Sequence, residues 1–225
     1  MAVIFGQGKG KDPDQERFQR EWFDWARAEN IESMQLALED GQDIDEIVID
    51  GLTAASIAGL DGKLRLFEWL REKGADFKKM DGHNRTALMC SAHGGTLKIA
   101  AKLLSRGDPA DALAAVNSEG RAALHFASLA GRANMVQFLL AKGADPNLKD
   151  ADGNTPLHLS MKGGSPQAVK YLLDAGANAD IQNAKEQTAA KLSGGLAACR
   201  AVLESSGGAA PPGFGMASFG GGGKP

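Results

Sequence analysis

The chain has 225 residues, 43% hydrophobic and 24% charged, enough apolar material for one ordinary domain or one short repeat array and too much for wholesale disorder. A formal net charge of −3 argues against a dedicated nucleic-acid binder, which carries a basic surplus to displace counterions from phosphates. The two cysteines, Cys90 and Cys199, stand far apart with no CxxC or Cys/His cluster, which argues against a disulfide framework or structural zinc; no stretch approaches the roughly 20 apolar residues of a membrane span.

At the N-terminus the apolar run within Met1 to Gly10 is too short for a signal h-region, so a cytoplasmic chain is expected, a reading that fits two unpaired cysteines. Gly6 to Asp12 superficially looks like a phosphate loop. It lacks the GxxxxGK[ST] spacing and runs into Asp12-Pro13 rather than directly into a helix, so residues 1–17 are read as a flexible arm. An apolar helix follows with Phe23, Trp25 and Ala26, interrupted by Arg17, Arg20, Glu21 and Asp24. Charges on that helix suit the wetted outer face of a terminal unit.

From Gly41 onward the chain repeats itself. Leu124-His-Phe-Ala127 and Leu157-His-Leu-Ser160 lie 33 positions apart, as do Gly143 and Gly176, Thr53 and Thr86, and Thr155 and Thr188. Leu88 to Leu124 is 36, which places about three extra residues between Gly107 and Asn117 and predicts a bulging loop there. Within one unit Thr155 reads as an N-cap and Pro156 as the first helical residue, where its missing N–H costs nothing. Gly164 ends this first helix. A second apolar pattern at Val169, Tyr171, Leu172 and Leu173 stops at Gly176, a left-handed C-cap. Helices this short do not persist alone in water, so stability must come from neighbouring units burying each other's apolar faces.

Gly153-Asn-Thr-Pro-Leu-His158, Leu172-Leu-Asp-Ala-Gly-Ala177 and Leu139-Leu-Ala-Lys-Gly-Ala-Asp145 resemble ankyrin repeats. The resemblance covers roughly residues 18–206 and implies an all-α helix-turn-helix solenoid with β-hairpin-like loop fingers. The units run 18–50 as an N-terminal cap, then 51–83, 84–119, 120–152 and 153–185, with 186–206 as a C-terminal cap. Ala122 stands where a threonine N-cap is expected, a loss of about 1 kcal/mol, and Asn84 and Glu186 replace the turn glycine kept at Gly51, Gly120 and Gly153. Residues 207–225, rich in glycine with Phe214, Met216 and Phe219, break the period and read as a tail whose apolar residues are candidate contacts.

Four histidines invite a catalytic or metallic reading. His125 and His158 share one phase, which the resemblance implies is that of a hydrogen-bonder between neighbouring loops; His83 and His93 are isolated, and no HExxH pair exists, so neither metal nor cofactor is expected. Cys90 and Cys199 sit in apolar helices and read as small core residues. Catalysis needs nucleophile, base and orienting group to converge in a pocket, whereas stacked short helices offer an open face. The expectation is therefore a non-enzymatic module that binds a protein, as a monomer or as a subunit of a hetero-complex, with no nucleic acid and no membrane.

The resemblance places the partner on the first helices and loop tips. On the first helices this selects Leu60, Asp61, His93, Leu129 and Lys162. Leucine at a solvated helix end suggests an apolar anchor. On the tips it selects Lys78, Lys79, Asn117, Glu119, Lys149 and Asp150. Two alternatives remain open at this stage: a structural component anchored by the tail, and an enzyme regulator that inserts the 107–117 loop, where Ala112 to Ala115 could form a short helix.

Overall fold

The computed structural model describes residues 13–105, 109–192 and 197–205, without the side chains of residues 13–16 and 49. Residues 1–12 of the expected arm, Gly107 and Asp108 of the extended loop, and Phe214, Met216 and Phe219 lie outside the described residues. Twelve α-helices fall among the described residues: α1 (Pro13–Ala28), α2 (Ile31–Glu39), α3 (Ala54–Asp61), α4 (Leu64–Glu72), α5 (Ala87–Gly94), α6 (Leu97–Leu103), α7 (Pro109–Ala114), α8 (Ala123–Leu129), α9 (Ala133–Ala141), α10 (Pro156–Gly163), α11 (Pro166–Asp174) and α12 (Ala197–Ser205). A 3₁₀ turn at Ala189–Leu192 stands in the place of the last first helix.

The helices form two rows. First helices α1, α3, α5, α8 and α10 touch in succession and end against the 3₁₀ turn, while α4, α6, α9, α11 and α12 make a parallel second row. Threonine hydroxyls accept from backbone N–H groups at the starts of α3 and α5, Thr53 from Ser56 and Thr86 from Met89. Left-handed glycines close three first helices, Gly62 (φ 72°), Gly95 (φ 79°) and Gly164 (φ 71°). Asn84 and Glu186 adopt φ 55° in the turns where Gly51, Gly120 and Gly153 take 69° to 76°, so these two side chains are carried in a left-handed conformation that costs most residues about 1 kcal/mol or more.

Two points depart from the sequence reading. Helix α1 already begins at Pro13, inside the stretch read as arm, because proline is at home in a first helical turn and Arg17 pairs with Glu21 one turn on. Its buried side is Gln19, Trp22 and Ala26, an i, i+3, i+7 stripe, whereas Phe23 and Trp25 are only half-buried. The sequence reading singled out Phe23 and Trp25 and passed over Trp22, the fully buried aromatic of this helix.

Each unit ends in a finger closed by a backbone bond four residues long: Val48 N–H to Leu52 O, Asp81 to Arg85, Asn117 to Arg121, Asp150 to Asn154 and Asn183 to Gln187, at 2.8 to 3.1 Å. Gln182 and Thr188 form an isolated antiparallel bridge. Neighbouring fingers are tied by Gly82 N–H to Gly51 O (2.6 Å), Ala151 N–H to Glu119 O (2.8 Å) and Ala184 N–H to Asp152 O (2.8 Å). The core has two clusters. One gathers Trp22, Met34, Ile57, Leu66, Phe67 and Leu70, the other Met89, Leu124, Met135, Leu139, Leu157 and Leu172, and they meet inside the α5–α6 unit, where Leu103 packs on both. The extra residues of that same unit fold into α7, whose Leu113 is buried in the second cluster.

Candidate protein-binding face

The C-terminal ends of α3, α5, α8 and α10 bring Leu60, Asp61, His93, Leu129 and Lys162 into one row along the first helices. Close approach of these helices depends on glycine: a Cβ on Gly163 would lie 2.5 Å from the Leu129 carbonyl oxygen, and one on Gly59 would lie 2.6 Å from that of Ala87. Leu60 and Leu129 are half-buried, and neither belongs to the core clusters nor to the apolar residues packed against them. Asp61 is exposed and meets Arg27 at 3.5 Å. The His93 carbonyl accepts from Arg132 Nε at 3.0 Å; burial, and then Arg85 and Arg132, hold its imidazole below the ordinary value. Lys162 is exposed.

The loop-tip set does not assemble as expected. Asn117 and Asp150 are buried, at 7% and 6% exposure, because each closes its own finger. Asn117 Oδ1 accepts from the N–H groups of Glu119 (3.0 Å) and Arg121 (2.9 Å). Asp150 Oδ1 accepts from Asp152 (3.1 Å) and Asn154 (2.7 Å), and its Oδ2 takes Arg121 Nε at 3.3 Å. These are framework groups. Asp81 and Asn183 repeat the same contacts, so the 33-residue phase was the available signal that position 117 and its equivalents point inward. Glu119 and Lys149 are exposed, Glu119 paired with Arg121 at 2.6 Å and Lys149 Nζ donating to Gln182 O at 3.5 Å. Lys79 pairs with Asp43 at 3.7 Å, and Lys78 lines a cavity on the second-helix side, away from the first-helix row.

Between the second and third fingers a hollow of about 410 Å³ opens, lined among others by His83, Asn84, Ser118, Glu119 and Phe126. Phe126, half-buried on α8, joins this hollow to the first-helix row. The sequence reading missed it because it follows His125 inside a helix and carries no polar flag.

His125 and His158 are fully buried. The His125 ring accepts the Ala122 N–H through Nδ1 at 3.2 Å and donates through Nε2 to Leu148 O at 3.0 Å. His158 accepts from Thr155 N–H (3.2 Å) and hydroxyl (2.8 Å) and donates to Gln187 O at 2.9 Å. Both rings are neutral hydrogen-bonders, and burial keeps their pKa values below the ordinary 6.5. Burial likewise pushes the Cys90 thiol up to about 12, beside Asp81 Oδ2 at 3.6 Å, so no thiolate nucleophile is generated there. Among the described residues no three His, Cys, Asp or Glu side chains gather as metal ligands would, and no helix is long and apolar enough to cross a membrane.

A family model described as ankyrin repeats in three copies matches residues 52–150 and 124–209. The chain is similar to an ankyrin repeat and KH domain-containing protein, mask-1, of Caenorhabditis elegans, with 32% identity over 128 residues, 56% of this chain and 5% of that protein. It is also similar to delta-latroinsectotoxin-Lt1a of Latrodectus tredecimguttatus, with 36% identity over 80 residues, 36% of this chain and 6% of the toxin. The chain thus spans about a twentieth of the length of these relatives. With paired helices in two rows, 33-residue spacing and fingers at each junction, the chain belongs to the ankyrin-repeat family.

Proposed function

We propose that the chain is a non-enzymatic module that captures a protein partner on its first-helix row and on the finger hollow that Phe126 joins to it, in the cytosol, where its two unpaired thiols persist. The observation that carries this reading is the placement of Leu60 and Leu129: apolar side chains that the core does not use, at equivalent ends of two first helices. Apolar anchors with a polar rim are the pattern of interface hot spots, and a preformed surface binds with little ordering cost. Asp61, His93, Glu119, Lys149 and Lys162 form the rim and tune orientation and association rate. The burial of Leu113 counts against the 107–117 segment as a free inhibitory probe, since extending it would strip a leucine from the core. Leu129→Asp is expected to abolish capture of the partner from native extract while the thermal melt of the chain barely moves. A large fall in melting temperature would show that Leu129 holds the fold, and would remove it from the binding face.

A further inference from the structure

On the opposite side of the array, where α7 interrupts the regular stacking, the structure holds a cavity of about 500 Å³ lined by Phe67, Phe77, Met80, Leu88, Leu103 and Ala112 among others. Its shape follows from the insertion: α7 packs its Leu113 toward the second core cluster, leaving a gap toward the first, where Phe67 and Phe77 lie with ring centroids 4.8 Å apart. Apolar residues continue at the mouth. Met80 is 37% exposed, and Val116, next in sequence to the lining residue Ala115, is 41% exposed.

The chemistry of the rim selects an uncharged occupant. Arg71 and Lys102 both pair with Glu68, and Lys78 shares the lining with Asp76 and Asp111, so three cations meet three carboxylates and no net charge remains to attract an ion. The chain carries a matching segment: residues 206–223 contain no acidic or basic side chain and include Phe214, Met216 and Phe219.

Reach agrees. Arg71, Lys102 and Leu103, which line the cavity, sit in the last turns of α4 and α6, and Ser205 is likewise the last residue of α12 in the same second-helix row. From α12 to α6 the row takes three steps, through α11 and α9, or about 30 Å at about 10 Å per helix. Phe219 lies fourteen residues beyond Ser205 and can extend about 46 Å, against about 30 Å for Phe214. Phe219 therefore reaches with slack and Phe214 only when taut.

We propose that the cavity is a docking site for the chain's own segment 206–223, with Phe219 as the side chain that enters it and Met216 at its mouth. Loop closure over a segment of this length is a modest entropic cost, and burial of one aromatic ring works against it. The site is distinct from the first-helix row and does not depend on it.

The test places the photoreactive residue p-benzoylphenylalanine at Phe219 in the full chain, an aromatic-for-aromatic exchange outside the helical array, and maps the products by mass spectrometry. Intramolecular adducts on Met80 and its cavity neighbours are expected. They should be lost when Ala112→Trp fills the cavity, and should persist in Leu129→Asp, which separates this proposal from the partner-binding reading. Adducts between two copies, adducts spread over the array, or a product indifferent to Ala112→Trp would each overturn it.

Discussion

At the residue scale the fingers carry the clearest energetics. Glu186 holds a left-handed φ of 55° that glycine adopts without strain, whereas its side chain is exposed and contributes little there. Glu186→Gly is therefore expected to stabilise the chain by about 0.5–1 kcal/mol, the relief of strain less the added entropy of unfolded glycine, read as a higher urea midpoint; Asn84→Gly should gain less, since asparagine tolerates that conformation. The buried histidines set a pH dependence. Their pKa values lie below 6.5 in the folded chain, so the unfolded chain binds protons first, and stability falls as pH drops below about 6.5 and levels off only below the folded values. Urea midpoints between pH 7.5 and 5.5 should decline for the native chain and flatten in a His125→Asn, His158→Asn double variant. The same scale shows what the sequence could and could not disclose. Shared phase exposed the role of His125 and His158, because two residues repeat one environment. Asn117 and Asp150 misled, because an inward Asn or Asp that caps its own turn and an outward one on a loop tip have identical local sequence signals, and only the phase shared with Asp81 and Asn183 separates them.

At the element scale the short helices are held by one another. Gly163 shows how close the approach is: its exposed position gives no hint of constraint, yet an added Cβ would meet the Leu129 carbonyl oxygen at 2.5 Å. Backbone cannot yield as a flexible side chain does, so Gly163→Ala is expected to destabilise by about 1–3 kcal/mol, several times the effect of a typical surface change, measured as a fall in the urea midpoint. The helix pairs themselves were legible from the 33-residue period, proline at helix starts and glycine at helix ends. The 36-residue interval likewise announced an insertion after α6 and, through Ala112 to Ala115, a short helix; its packing was not legible, since burial of Leu113 in the second core cluster is a tertiary contact that no local pattern encodes. Helix α1 was under-read for a similar reason: its core residue Trp22 is surrounded by charges that solvate the outer face.

At the scale of the whole molecule, two core clusters meet inside the third unit, and both the finger hollow and the α7 cavity open beside that meeting point. At the other junctions neighbouring fingers are tied by a backbone bond, as from Gly82 to Gly51, Ala151 to Glu119 and Ala184 to Asp152. An array of this kind gains stability from nearest-neighbour burial and presents long surfaces with little reorganisation, which is why the proposed function is placed on faces rather than in a convergent pocket. The family and fold follow from the period, while the proposed contact side chains Leu60, Phe126 and Leu129 stand at positions that the period leaves free to vary.

The most direct measurement is hydroxyl-radical footprinting of the full chain alone and with its captured partner. Protection concentrated at Leu60, His93, Phe126 and Leu129, with the α2 and α9 outer surfaces unchanged, is the expected result; protection confined to the second-helix row, with these four side chains as reactive as in the free chain, would contradict the account.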